Sequence, residues 1–166
     1  AFGAKVFCTV GNEEKAKACR DVGADVAINY NTQDYVEVVM EHTNKQGVNI
    51  LLDMVGGSYM QRNLQSLAPD GRLVQIAFLQ PSKVEVDWVS LMTKRLTFTG
   101  STLRPRTAAD KAQMAKELKQ YVWPLLEAGS VKPVIHQVFD LEHANQAHAL
   151  MESSVHIGKI MLKVSG

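Results

Sequence analysis

Residues 48–57 read Val48-Asn49-Ile50-Leu51-Leu52-Asp53-Met54-Val55-Gly56-Gly57, an almost unbroken apolar run closed by two glycines. Such a run, lacking the polar alternation of a half-exposed strand, is the pattern of a parallel strand covered on both faces. A parallel strand needs helical crossovers to its neighbours, so helices are expected on either side of it in the sequence. They are there in both directions.

Upstream, Ala4 to Val10 is a compact apolar strand candidate broken by Gly11-Asn12. Asn12 stands where a helix cap belongs, with Glu13 and Glu14 in the first turn and Gly23 closing the segment. Ala18, Cys19 and Val22 give that helix an apolar stripe. A strand over Asp25 to Tyr30 follows, and then an amphipathic helix from about Thr32 to Lys45 ending at Gly47. Downstream come a helix through Tyr59 to Leu67, the turn Ala68-Pro69-Asp70-Gly71, and a strand from Arg72 to Phe78. The rhythm loosens beyond Pro81, with a short helix near Trp88 to Thr93 and a strand from Leu96 to about Thr102. Thr107 and Asp110 have the form of a capping box opening a long helix with Met114, Leu118, Tyr121, Val122 and Leu125 on one side. Pro124 should kink or restart it. A strand from Val134 to Phe139, a helix from Glu142 to Ser153 and a strand from Lys159 to Val164 complete the pattern. Alternation of this kind argues an α/β fold with a doubly wound parallel sheet.

With 166 residues the chain can form one domain or pieces of two, and 46% apolar with 21% charged residues fits a globular protein. A formal net charge of +1 with both signs scattered supplies no basic stripe, which argues against a nucleic-acid partner. Cys8 and Cys19 alone write neither a disulfide framework nor a paired-cysteine metal site, so a reducing compartment is the expectation. No apolar run approaches the roughly 18 residues of a membrane span, and the first residues lack a secretory leader; the cytoplasm is expected. The histidines at 42, 136, 143, 148 and 156 show no spacing that presents a joint metal face. Neither a GxSxG elbow nor a GxxxxGK phosphate loop is present.

The stretches VGADVAINY, GVNILLDMVGGSYMQRNLQSLAPDGRLVQIAF, STLRPR and LLEAGSVKPVIHQVFDLEHANQAHALMESSVHIGKIML, in this order and spacing, resemble the quinone oxidoreductase branch of the medium-chain dehydrogenase/reductase superfamily, a zinc-independent group. The likeness runs nearly end to end. It implies that residues 1–103 are a partial dinucleotide-binding domain and 104–166 a carboxy-terminal segment returning to the catalytic domain. Family members begin with a catalytic domain and a first nucleotide-binding strand with a glycine-rich turn, so the resemblance implies the carboxy-terminal half of a longer enzyme. In a sheet ordered 3-2-1-4-5-6, lack of strand 1 opens a hole between the first strand here and the strand ending at Asp53. Two strand edges then need a partner or must pair with each other, and the chain alone is expected to bind a dinucleotide poorly and to be inactive.

Cofactor choice in dinucleotide folds is made at the end of the second strand, where a carboxylate favours NAD. Here that strand ends Thr9-Val10-Gly11-Asn12, with no carboxylate at the tip and with helix N–H groups that favour an anion. Lys15 lies one turn on. The resemblance adds Tyr30 and puts Asn12, Lys15 and Tyr30 around a 2′-phosphate, so NADPH is the expected cofactor. Glu13 and Glu14 oppose this unless they point away, and the alternative is a capped surface helix with a solvated lysine. Gly56 lies where a ligand would meet a central strand; equally, Asp53 can be a buried cap and the glycines merely a turn. The resemblance sets Val55 and Gly56 against the cofactor, Phe78, Ser101, Thr102 and Leu103 beside the nicotinamide, and His156 near the nucleotide. Arg104 and Arg106 either steer an anion or belong to an exposed connection. No catalytic acid or base is evident. The resulting expectation is the cofactor domain of an NADPH-dependent quinone oxidoreductase acting on a quinone or enone, homodimeric through the edge strand at Leu96 to Thr102. A related enone reductase or alcohol dehydrogenase is the alternative, as is a catalytically silent domain binding protein through its sheet edges or RNA in its cleft.

Overall fold

The structure, a computed structural model, describes residues 1–164. The chain divides into two compact units, residues 6–111 and residues 1–5 with 112–166.

In the first unit, β1 (Phe7–Val10) and β2 (Val26–Asn29) pair in parallel, with Cys8 opposite Ala27. Between them α1 (Glu13–Asp21) begins at Asn12, whose side-chain oxygen accepts the Lys15 N–H at 2.8 Å. The next helix, α2 (Tyr35–His42), is shorter than the sequence pattern predicts. Asp34 caps it by accepting the Val36 N–H at 2.8 Å, and Asn44 and Lys45 turn left-handed, at φ 50° and 64°, so the helix ends early.

A second parallel sheet runs in the order β3 (Val48–Asp53), β4 (Leu67–Gln75), β5 (Thr97–Gly100). Its register slips between Val48, opposite Leu67, and Ile50, opposite Arg72. The predicted turn 68–71 is therefore an excursion inside β4. Asp70, at φ 61°, is held there by donation of its N–H to the Lys94 carbonyl at 2.7 Å and by a two-pronged Arg95 contact at 2.8 and 2.6 Å. Lys94 itself donates to the carbonyls of Gln65 and Leu67 at 3.0 and 2.8 Å, satisfying the end of α3 (Tyr59–Ser66). A short helix, α4 (Val89–Thr93), precedes β5.

β1 and β3 do not pair, so the strands of this unit form two sheets rather than one. One common layer of helices bridges them. Ile28, Tyr35 and Val39 pack with Phe7, Val26, Val48 and Tyr59, while Met60, Leu64, Leu67 and Leu73 pack with Val48, Leu51, Val86 and Leu96. Val48 and the α2–α3 contact join the clusters. At that contact Tyr35 and Tyr59 stack at 5.4 Å, the Tyr35 hydroxyl donates to Asn63 Oδ1 at 2.8 Å, and Arg62 lies 4.1 Å over the Tyr35 ring while pairing with Asp34. Burial pushes the Tyr35 hydroxyl well above the usual tyrosine range.

The covering of β3 differs from the expectation of burial on both faces. Leu51 faces the core, but Ile50 and Leu52 are 70% and 62% exposed. The crossover helices α2 and α3 lie on the core side, and no element among the described residues covers the opposite face of β3. An apolar run reports that a strand can be enclosed twice; it does not supply the second layer.

In the second unit, β6 (Ile135–Asp140) and β7 (Lys159–Lys163) pair in parallel, connected through a 3-10 turn at Leu141–His143 and α7 (Ala144–Ser153), which buries Ala147. The long helix α5 (Ala108–Tyr121) starts with the predicted capping box: the Asp110 N–H donates to Thr107 Oγ1 at 3.1 Å, and Thr107 N–H and hydroxyl donate back to Asp110. Pro124 restarts the chain as α6 (Trp123–Glu127). The apolar side of α5 is not buried, with Leu118 and Tyr121 52% and 58% exposed, because β6, α7 and β7 of its own unit do not cover it.

Leu64 is wholly buried between α3 and the second sheet. Leu64→Ala is expected to cost about 2–5 kcal/mol of unfolding free energy, read from urea melts at unchanged slope.

Candidate functional site

Parallel register brings Asp53, Gln75 and Gly100 to the carboxyl ends of their strands together. The three following loops therefore emerge side by side. The buried Asp53 carboxylate accepts the Val55 N–H at 2.7 Å and the Gly56 N–H at 3.0 Å, so it acts as a cap for this loop. Residues 76–81 run alongside: Ile76, Leu79 and Gln80 donate to the carbonyls of Asp53, Met54 and Val55 at 2.8, 3.1 and 2.8 Å. Gly56 has φ 68°, and a Cβ there would stand 2.5 Å from the Phe78 ring. Phe78 thus occupies the space that the glycine leaves open.

Beside this loop pair is an open recess of about 590 Å³, floored by Gln75 to Phe78 and walled by Gly100 to Thr102, with Pro105 and Arg106 at its rim. Its lining is mostly apolar. Gln75 is buried, its Nε2 donates to the Ala77 carbonyl at 2.7 Å, and its Oε1 has no hydrogen-bond partner among the described residues. A buried acceptor left in this state is costly until a donor meets it. Leu103, at the end of the wall, is 60% exposed.

A second group forms at the tips of β1 and β2. Asn31 Nδ2 donates to the Gly11 carbonyl at 2.7 Å, and the Tyr30 hydroxyl lies 2.8 Å from where a Cβ on Gly11 would stand. Tyr30 therefore lies over Gly11, the residue before the capping Asn12, with half-buried Lys15 one turn along α1. Glu13, which would oppose an anion here, is drawn down the helix into an ion pair with Arg20. His156 belongs to the other compact unit, between α7 and β7, where its ring meets His136 edge-on at 6.3 Å. Among the described residues no three His, Cys, Asp or Glu side chains gather to hold a metal ion.

Sequence reasoning misses Gln75, although a lone glutamine in the apolar run Leu73-Val74-Gln75-Ile76 is a visible signal. Arg106, readable as a connection or an anion guide, is exposed and stands on the recess.

Residues 22–162 match the model of a family described as zinc-binding dehydrogenase. The chain belongs to this family. Its membership in the medium-chain dehydrogenase/reductase superfamily, which the sequence motifs lead one to expect, rests on that match and on the relatives. Quinone oxidoreductase-like protein 2 of Bos taurus is 29% identical over 97% of this chain and 46% of its own length. The 2-haloacrylate reductase of a Burkholderia species is 32% identical over 97% of this chain and 48% of its own. A crystal structure of a 2-haloacrylate reductase superposes with a TM-score of 0.82 at 30% identity, covering 99% of this chain and 51% of that one. The chain thus spans about half the length of each of these three proteins. The family's description names zinc, but the described residues bring together no donor set that fits such an ion.

Gly56→Ala is expected to destabilise by about 1–3 kcal/mol through the left-handed backbone alone, plus the displacement of Phe78. In a Phe78→Ala background the second contribution should vanish, so the glycine substitution becomes cheaper. Equal costs in the two backgrounds, measured by denaturant melts, would show that the ring is no obstacle.

Proposed function

We propose that this chain is the cofactor-binding part of an NADPH-dependent quinone oxidoreductase of the cytoplasm. The observation that carries the reading is the tip of β1 and β2: a strand end without a carboxylate, a capped helix N-terminus, Tyr30 over Gly11, Lys15 one turn on, and Glu13 turned aside by Arg20. This donor set fits the phosphate of an NADP-type ribose better than the bare hydroxyls of NAD. At the other end, Val55, Gly56, Phe78, Ser101, Thr102 and Leu103 would hold the nicotinamide, with Gln75 Oε1 as an acceptor for a donor such as its carboxamide. Residues 1–103 are taken as the dinucleotide-binding part and 104–166 as a carboxy-terminal segment returning to the catalytic domain.

When bound, a reduced nicotinamide supplies a hydride or its electrons. The work of these residues is positional. Phe78 and Ile76 give the ring an apolar wall that excludes water, the Ser101 and Thr102 hydroxyls offer polar fixing points, and the orphaned Gln75 oxygen selects orientation. No side chain of the recess is positioned as an acid or base. A glycine-rich diphosphate loop is not among these residues, so the chain alone should bind the dinucleotide weakly. The edge of β5, which among the described residues is paired with β4 alone, is proposed to pair with its copy in a homodimer.

Arg106 on the recess favours a second reading, in which the acceptor is an activated alkene bearing an acid group. Steady-state assays of the full-length enzyme with quinones, enones, unsaturated carboxylic acids and alcohols separate the two: the preferred reading expects the highest kcat/KM with a quinone, the second with an unsaturated acid. For the cofactor, Lys15→Ala is expected to raise the Kd for NADPH about tenfold and to leave NADH within about twofold, a charge-assisted contact being worth roughly 1.5 kcal/mol or more. Equal losses would remove the phosphate role.

A further inference from the structure

Phe7 joins the cluster beneath α2, so its neighbour Cys8 points to the opposite face of the first sheet. That face carries α1, whose Ala16 is wholly buried. Cys19 follows Ala16 by three positions and therefore shares its side of the helix. The two placements converge on the layer between β1 and α1, where Cys19 lies near enough to raise the Cys8 thiol. Both thiols are free and only partly buried. Two cysteines without a third donor make a poor metal site, and among the described residues no third one is at hand.

We propose that Cys8 and Cys19 form a reversible intramolecular disulfide, closed by a low-molecular-weight disulfide such as glutathione disulfide. The steps balance as two exchanges. Cys19, as thiolate, attacks one sulfur of glutathione disulfide; an S–S bond forms, the original one breaks, and the first glutathione leaves as thiolate and takes up the proton that Cys19 gave. Cys8 then loses its proton and attacks the Cys19 sulfur, expelling the second glutathione. The two cysteines are oxidised by two electrons, and one glutathione disulfide is reduced to two thiols. Burial and the adjacent Cys19 thiol push the Cys8 thiol up to about 11, which assigns the first attack to Cys19 and leaves Cys8 as the resolving thiol. Proximity lets the second step outrun a second glutathione, because the resolving thiol faces the same strand–helix layer. The bond would pin α1 to β1 and enclose Gly11, Asn12 and Lys15 in a short covalent loop. It does not depend on what that loop binds.

The test is incubation of the native, reduced protein with glutathione disulfide, followed by intact mass and non-reducing peptide mapping. The expected product is monomeric, lighter by about 2 Da for the two hydrogens lost, with a Cys8–Cys19 linked peptide that disappears on reduction. Cys8→Ser should instead keep one glutathione on Cys19, and Cys19→Ser should react at least tenfold more slowly than the wild type. Wild-type protein that accumulates glutathione without the linked peptide, forms only disulfide-bonded dimers, or reacts only after unfolding in urea would overturn the proposal. The wild-type measurement decides the matter even where a serine variant fails to fold.

Discussion

The parallel pairing of Leu51 with Leu73 and of Asp53 with Gln75 is the constraint on which the first unit depends. It turns Leu51 and Leu73 toward α3, which closes the core with Met60 and Leu64. The same register sets the strand ends level, so the loops that follow emerge as neighbours. Asp53 then converts a strand end into a fixed loop by accepting two consecutive N–H groups from inside the protein. A carboxylate satisfied in this way is structural, and the polar side chains that line the recess are those of Gln75, Ser101, Thr102 and Arg106.

Two electrostatic arrangements prepare the tip of the other sheet. Asn12 spends its side-chain oxygen on the Lys15 N–H, so the first turn of α1 is held rather than frayed. Arg20 draws Glu13 along the helix surface. Being exposed, that pair adds little to stability, but it governs where a negative charge sits. What remains at the tip is a capped helix start with Glu14 beside it and a tyrosine lying over a residue with no side chain.

Much of this is legible in the residues. The run 48–53, the caps at Asn12 and Thr107, and the restart at Pro124 each carry a local physical signal, and each reappears in the structure. Asp53 is legible in its capping role, as the blander of two readings. The extent of α2 is less so, because left-handed Asn44 and Lys45 are set by the route into β3. Burial departs from the pattern where the pattern presumes a partner layer, at Ile50, Leu52 and the apolar side of α5. Hydrophobic pattern describes an element's readiness to be covered. The contact of Phe78 with Gly56 and that of Cys8 with Cys19 depend on tertiary approach, and no spacing rule announces them.

The uncovered face of β3 has a thermodynamic consequence. The heat-capacity increment of unfolding follows the apolar surface newly hydrated, and Ile50 and Leu52 are largely hydrated already in the folded chain. The increment, normally about 12–15 cal/mol/K per residue, therefore loses the share of these two side chains, a few per cent of the whole. A smaller increment flattens the curve of stability against temperature, so each apolar side chain already in water makes the fold slightly less vulnerable to cold.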